Sequence, residues 1–573
     1  MASAPAEFLF EGRRITARPG QSLAAALTEA GERSFRTTAQ GAERSVFCGM
    51  GVCQDCLVTV DGAPNQRACM RQAVSGMDVR RQGAHVDLTA LAPPDVGQAH
   101  EHTPDVLVIG GGAGGLAAAR VAAAGGASVT LIDERSVAGG QYYKQAASAE
   151  PLDAQQREGA AHVARAEGAG VTYLKGVEVW GAFDGPLILA SQGADALAFK
   201  PRALIVATGA YERPVMVPGW DRPGVMTTGA AQTLWRSYRT LPGERVLVAG
   251  KGPLNAQVAL ELAQGGADIA ALVEAAPAPW RRPLSAMAMM RAAPRLAGKG
   301  IAMKWGLVRR GVPILYGARL ARIDASDGAL GVHITGARGE RIFEVDAVLM
   351  NDGFNPSNEV LRLLGCAFTW NERFQELRPR RSATGETTVG GVFAVGDCCG
   401  LGGAPAAVAE GEIAGAAVAE ALGAGARRAA GHGQASRALA RARRFQDALW
   451  RTYARPTQRL DDMAPETLLC RCEEITVAQL RAALAAAPGD IGAAKRATRI
   501  GMGRCQGRYC GPALAALMAD RHRAPMDERA FFAPRPPIKP VPISCLLAAE
   551  GMMSASNGGE THPHAHGREH EHG

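Results

Sequence analysis

The chain has 573 residues, too many for one ordinary domain, and three to five domains are expected. Apolar residues make up 47% and charged residues 21%, which excludes a largely disordered protein. The formal net charge of +8 comes from arginines scattered along the chain, not from a basic block interleaved with aromatics, so nucleic-acid binding is not expected.

Met1 to Glu11 has neither a basic n-region nor an apolar h-region, so a secretory leader is not expected. No stretch reaches the roughly 18 uninterrupted apolar residues of a spanning helix, so no transmembrane segment is expected, while peripheral association on the inner membrane face stays open. The expectation is a cytoplasmic protein. In that reducing compartment clustered cysteines point to metal or redox work rather than disulfides. Eight of the twelve cysteines fall in two sets, one near each end.

Residues 7–18 predict two short strands around the turn Glu11-Gly12, followed by a helix over Gln21–Ala30 with Ser22 at its start. The first cysteines, Cys48-Gly-Met-Gly-Val-Cys53-Gln-Asp-Cys56, precede a strand ending at Val60, and Cys69 follows twelve residues after Cys56. C-x4-C-x2-C with a distant fourth cysteine is the plant-type [2Fe–2S] spacing. Gly49 and Gly51 would let backbone amides point at the sulfurs and stabilise their charge. The short gap to Cys69 resembles the ferredoxin-like domains of succinate dehydrogenase and hydrogen cyanide synthase. A zinc knuckle or buried structural cysteines are the alternatives.

Leu91–Pro104 reads as a linker. Then a buried strand, Asp105–Ile109, runs into Gly110-Gly-Gly112-Ala-Gly114-Gly115 and an Ala-rich helix, and a second strand ends at Asp133. In this context G-x-G-x-x-G has a mechanism. The glycines permit a tight turn and close pyrophosphate approach, the helix N-terminus attracts phosphate, and Asp133 would accept the ribose hydroxyls, with Glu134 the less favoured candidate. Gly139-Gly140-Gln141, the strand ending Ala207-Thr208-Gly209, and Gly391–Gly396-Asp397 resemble, in order, the FAD-contacting motifs of two-dinucleotide-binding flavoproteins. The redox cysteine pair of the disulfide reductases in that superfamily is missing from the segment after Gly139. Cys398-Cys399 reads as small buried residues rather than a redox pair, because adjacent cysteines rarely form an unstrained disulfide. Cys366 and Cys545 read as structural.

A second glycine turn, Gly250-Lys-Gly252-Pro-Leu-Asn255, follows the strand Arg245–Ala249, and Glu274 closes the next strand. Asn255 stands where a small residue normally allows close helix packing. Three readings stay open for this site: NADH, an adenine nucleotide such as ADP or ATP held structurally, or no ligand. Glu274 disfavours a 2′-phosphate and therefore NADPH.

Gly423–Gly433 reads as a connector, and Gln434–Tyr453 as a basic amphipathic helix packed on the surface. The last set, Cys470-Arg-Cys472, thirty-two residues, then Cys505-Gln-Gly-Arg-Tyr-Cys510, flanks two predicted helices, Val477–Ala486 and Asp490–Ala497. C-x-C with a later cysteine pair resembles the small helical [2Fe–2S] domain of bacterioferritin-associated ferredoxin. The longer C-x4-C closure resembles the version in opine and proline dehydrogenase flavoprotein subunits; zinc or an empty site is the alternative. Pro534–Pro542 predicts an extended segment, and the His-rich tail from Ser554 predicts disorder.

Taken in order, residues 7–550 resemble the flavoprotein α subunits of hydrogen cyanide synthase, opine oxidases and dye-linked proline or hydroxyproline dehydrogenases, related in the middle to sarcosine oxidase α, with a ferredoxin-like domain fused at the N-terminus. The implied fold is multidomain α/β: a β-grasp ferredoxin-like domain over 7–90, a linker over 91–104, an FAD domain over 105–218 and 345–425, and a second Rossmann-like domain over 219–344. A connector helix over 426–466, a small helical [2Fe–2S] domain over 467–525 and a Pro-rich and His-rich end over 526–573 complete it. The resemblance implies FAD, two [2Fe–2S] clusters and an FMN at an interface between subunits. It also implies a partner, an amine-oxidase-type flavoprotein β subunit, and a carrier or quinone as acceptor. No catalytic residues for amine oxidation can be named, in keeping with an electron-transfer role. Two expectations compete with this one: an NADH-dependent ferredoxin reductase acting alone, and a non-catalytic nucleotide-binding component of an assembly.

Overall fold

Buried and exposed positions alternate along Ala6–Phe10 and Arg13–Ala17, and Glu11 and Gly12 both take the left-handed backbone that a two-residue hairpin turn requires. This hairpin is the edge of a five-stranded sheet in the order Arg13–Ala17, Ala6–Phe10, Asp78–Arg81, Leu57–Val60, Ala63–Arg67. Helix Leu23–Glu29, capped by Ser22 Oγ accepting from the Ala25 amide, lays its buried Leu and Ala side chains on that sheet. The computed structural model describes residues 4–556 except 88, 90, 92–94, 149, 327, 424–431, 455–461, 487–489 and 524.

The next sheet is parallel, in the order Thr172–Lys175, Val129–Asp133, Val106–Ile109, Ala203–Val206, Val392–Ala394. Its central strands are apolar at every position, as burial on both faces demands. Helix Ala113–Ala124 packs against helix Gly403–Ala421 through their small residues. A Cβ at Gly411 would lie 2.2 Å from the Gly114 carbonyl oxygen, and one at Gly415 would lie 2.5 Å from that of Ala118. The Ala/Gly composition of both helices is therefore a packing requirement.

A third sheet, also parallel, orders Val225–Thr227, Ala347–Asn351, Arg245–Gly250, Asp268–Glu274, Ile314–Tyr316. Helix His432–Thr452 buries Ala435, Leu439, Ala442 and Phe445 and exposes its charged positions, which is the surface packing its amphipathic pattern predicts. No described helix is long and apolar enough to cross a membrane.

Three segments depart from the sequence reading. Within the expected linker, Ala99–His102 is a strand paired in parallel with Asp195–Phe199, and His102 stacks on Phe199. Edge pairing satisfies backbone groups without an apolar pattern, so nothing in the sequence announces it. Strand Ala347–Asn351, placed by the sequence reading in the FAD domain, lies inside the third sheet between Val225–Thr227 and Arg245–Gly250. Ile543–Ser556, in the expected Pro-rich and disordered end, is a helix whose Cys545 and Ala549 pack with Trp180 and Leu189. The rest of the His-rich tail, the connector at 424–431 and residues 92–94 of the linker lie outside the described residues.

Candidate redox site

The loop carrying Cys48, Cys53 and Cys56 leads into strand Leu57–Val60, and Cys69 follows the next strand. Gly49 and Gly51 sit at φ 61° and 77°, a backbone that wraps the loop around a sulfur. The Cys48 thiol accepts from the amides of Met50 at 3.5 Å and Cys53 at 3.4 Å. Burial opposes ionisation of Cys48, but the Cys53 thiol and these amides outweigh it and bring the pKa down to about 7. The thiols pair as Cys48 with Cys53 and Cys56 with Cys69. Among the described residues no three His, Cys, Asp or Glu side chains are arranged for a single metal ion. A [2Fe–2S] group instead takes two thiolates on each of two irons, and the two pairs fit that requirement.

The C-terminal thiols form one chain of contacts, Cys510 to Cys470 to Cys472 to Cys505. A Cβ at Gly503 would lie 2.2 Å from that of Cys472, so glycine is what lets the second loop close on the first. Gln506 and Gly507, at φ 54° and 79°, make the turn inside the C-x4-C spacing.

The two sets meet. The Phe47 ring, beside Cys48, contacts Tyr509, beside Cys510, edge-on at 5.4 Å. Arg471, between Cys470 and Cys472, lies over Phe47 at 4.0 Å and over Trp220 at 4.8 Å. Its Nε donates to Asp55, between Cys53 and Cys56, at 2.8 Å, and Arg36 pairs with the other Asp55 oxygen at 3.0 Å. Burial alone would push the Asp55 carboxyl up, but Arg471, Arg36 and Arg44 hold it below the usual carboxylate range. Sequence reasoning passed over Arg471 and Asp55. Their one signal was position, a charge enclosed between two cysteines in each set.

At the first glycine turn, a Cβ on Gly115 would lie 1.8 Å from the Gly110 carbonyl oxygen, and one on Gly110 would lie 2.4 Å from that of Ala207. Only glycine permits this approach of helix to strand. Gly112 starts the helix with no side-chain cap and nothing nearer its missing Cβ than Gly140 Cα at 3.9 Å, which leaves the helix N-terminus open to a pyrophosphate. Asp133 accepts from the Gly111 amide at 2.6 Å and the Arg135 amide at 2.8 Å, at the end of its strand beside the glycine turn. Glu134 is instead taken up by Lys539 from the Pro-rich segment, which with Arg67 and Arg508 holds it ionised. Gln141 follows Gly140 and is partly exposed. Thr208 Oγ1 donates to the Ser357 carbonyl, and Gly209 turns at φ 70°. The Gly396 amide donates to Glu410 at 2.9 Å, while Asp397 accepts from the Gly402 and Gly403 amides at 2.9 and 3.0 Å, its pKa raised by burial to about 6. The segments of the sequence reading thus converge on one end of the parallel sheet, and the cradle fits FAD. Cys398 and Cys399 are buried with sulfurs 3.8 Å apart, and no disulfide joins them.

The second turn is built differently. A Cβ on Gly250 would lie 1.9 Å from the Asn351 carbonyl oxygen. Asn255 replaces small-residue packing with hydrogen bonds, donating to that oxygen at 3.0 Å and accepting from Thr228 at 2.7 Å. Glu274 accepts from the Gly252 amide at 3.4 Å and the Ala276 amide at 3.0 Å. The Trp450 ring from helix His432–Thr452 lies 3.7–4.0 Å from where a Cβ on Gly252 would sit, beside the turn.

A profile of the pyridine nucleotide-disulphide oxidoreductase family matches residues 104–412, more than half of the chain. The chain is 35% identical over 362 residues to the A component of opine oxidase from Agrobacterium tumefaciens, covering 61% of this chain and 69% of the relative. It belongs to the opine oxidase A family. This makes it an FAD-dependent oxidoreductase. A 2Fe-2S iron-sulfur cluster binding domain matches residues 3–84, and a sarcosine oxidase A3 domain matches residues 465–550. Hydrogen cyanide synthase subunit HcnB of Pseudomonas aeruginosa is 29% identical over 60% of this chain and 75% of its own length. The fold matches that of L-proline dehydrogenase from P. horikoshii, with TM-score 0.71 and 20% identity, over 95% of this chain and 98% of that one.

Proposed function

We propose that this chain is the electron-transfer subunit of an amino-acid or opine dehydrogenase complex, taking electrons from an amine-oxidase-type flavoprotein partner and delivering them to a carrier or quinone. The observation that carries the reading is the direct contact of the two thiol sets through Phe47, Tyr509, Arg471 and Asp55. Eight thiols in two adjoining groups are what an electron relay requires. FAD and [2Fe–2S] clusters, when bound, supply the exchange between two-electron and one-electron chemistry. The residues bind and orient them. Gly110, Gly112, Gly114, Gly115, Asp133, Gly140, Gln141, Thr208, Gly209, Gly396 and Asp397 would hold FAD. Cys48, Cys53, Cys56 and Cys69 would hold one cluster, and Cys470, Cys472, Cys505 and Cys510 a second. Phe47, Trp220 and Tyr509 exclude water between them.

The relatives named as subunits support a partner for this chain too; an FMN where the two subunits would meet belongs to the same proposal. In this reading residues 7–90 and 467–525 are two iron domains that flank the flavin core in sequence and adjoin each other in space. At Gly250, Gly252 and Glu274 any ligand that docks a pyrophosphate on the turn, NADH or ADP and ATP alike, is disfavoured by the Trp450 ring beside Gly252, and an empty site is the reading favoured.

Anaerobic mixing with NADH and with an amine plus the partner flavoprotein tests the proposal. The flavin absorbance is expected to persist with NADH and to bleach only with amine and partner together. Rapid bleaching by NADH alone would make the chain a self-sufficient reductase. A purified chain that takes up neither flavin nor iron would make it a non-catalytic, nucleotide-binding component of an assembly.

A further inference from the structure

Between strands Asp268–Glu274 and Ile314–Tyr316 the chain leaves the third sheet and forms two helices, Pro283–Ala292 and Pro294–Arg309. They pack on one side only, where Met289, Ala292, Leu296 and Ala297 meet Phe445, Leu449 and Tyr453. The first has no buried residue, and the second buries Leu307 alone. Large apolar side chains are exposed on them and on the turn Pro279–Arg281 that precedes them: Trp280 is 71% exposed, Leu284 77%, Ile301 57%, Trp305 62% and Val308 61%. Leu284 and Met287 are three apart; Ile301, Trp305 and Val308 are four and three apart. Each helix therefore shows one apolar stripe to solvent. Elsewhere single exposed apolar side chains are ordinary, but two adjoining helices with their apolar faces outward mark a surface that lacks its cover.

The charges on the same segment identify the cover. No Asp or Glu occurs between Glu274 and Asp324, whereas ten Arg and Lys do. Arg281, Arg291, Arg295, Lys299, Arg309 and Arg310 are exposed alongside the apolar stripes. A second copy of this face would bring like charges together, so self-association through it is opposed. Cations flanking Trp and aliphatic side chains, with no acids, match an interface that is anionic outside and apolar beneath.

We propose that helices Pro283–Ala292 and Pro294–Arg309 form a membrane-surface anchor that seats the protein on an anionic lipid bilayer, with Trp280 and Trp305 in the headgroup layer and the arginines on lipid phosphates. The anchor does not depend on which donor or acceptor the redox site uses. It does fit an acceptor dissolved in the lipid, since the surface would hold the protein where such a molecule diffuses.

The test is sedimentation of the purified full-length protein with vesicles of equimolar phosphatidylglycerol and phosphatidylcholine, or of phosphatidylcholine alone. The protein is expected to sediment with the anionic vesicles at about 0.05 M salt, to be released at about 0.5 M, and to stay in solution with neutral ones. Its tryptophan emission should shift to the blue on anionic vesicles. Trp280→Ser with Trp305→Ser should lower binding about tenfold or more and abolish the shift, and Arg309→Glu with Arg310→Glu should lower binding similarly. All four positions are exposed, so melting temperature should be unchanged. Val74→Ser, at an exposed position on the N-terminal domain, should bind like the parent. Absence of sedimentation with anionic vesicles overturns the proposal, as does sedimentation that survives both double substitutions. An acidic polypeptide that binds the chain, is released by the same substitutions, and is accompanied by no vesicle binding also overturns it, in favour of a protein partner.

Discussion

Glu274 sits at the end of a central strand, accepts two backbone amides, and has a pKa that burial raises from 4.5 to about 7, with Lys304 nearby opposing the shift. An acid whose folded pKa is raised favours the fold in its protonated form. That contribution is complete below about pH 4.5 and is lost as the pH rises through 7. Glu274→Gln keeps a neutral acceptor at every pH. It should melt with the parent at pH 5 and about 2–4 °C above it at pH 8.5, as followed by circular dichroism. At the proposed cluster ligands, Cys48→Ser and Cys505→Ser should each remove roughly half of the bound iron and one of two paramagnetic signals on reduction. If both signals survive either change, the ligand assignment is wrong. Trp450→Ala should let NADH or an adenine nucleotide reach the Gly252 turn, tightening Kd at least about tenfold by calorimetry; an unchanged Kd would mean that the ring does not shield the loop.

At the scale of elements, the glycine turns were legible because each is a local rule: a strand, a tight turn and a helix within about thirty residues. Gly115→Ala should yield protein without flavin, because its Cβ would enter the Gly110 carbonyl oxygen. Retention of a full flavin spectrum would sink that account of the cradle. The elements the sequence hid are those held by distant partners. Strand Ala99–His102 exists because Asp195–Phe199 offers an open edge. Helix Ile543–Ser556 exists because Trp180 and Leu189 need covering, and Ala347–Asn351 joined the third sheet because two strands far upstream left a gap. The cysteine spacings were legible for the same reason as the turns. The pairing of Cys48 with Cys53 and of Cys56 with Cys69 was not, because it depends on how the loop closes in space.

Across the whole molecule, the two ends of the chain meet at Asp55 and Arg471, 416 residues apart. Breaking a buried pair leaves a charge without compensation. Arg471→Leu should therefore cost roughly 3–5 kcal/mol, read by chemical denaturation, even though Arg36 stays on Asp55. It should also lower the reduction potential of the N-terminal iron site by on the order of 50 mV, since a nearby cation favours the more negative reduced state. An equal shift in an Arg499→Leu variant, whose side chain is exposed and pairs with Glu473, would show the effect to be unspecific.

The same pair sets an order of maturation. The N-terminal domain leaves the ribosome long before Arg471 is made, so Asp55 is then held by Arg36 without its second partner, and Phe47 lies bare of Tyr509 and Trp220. Iron delivered during synthesis would meet a loop still open on one side. Stable loading of the first thiol set should wait until the C-terminal cysteine domain is made, and a fragment ending at residue 90 should hold its iron less firmly against a chelator than the finished chain does.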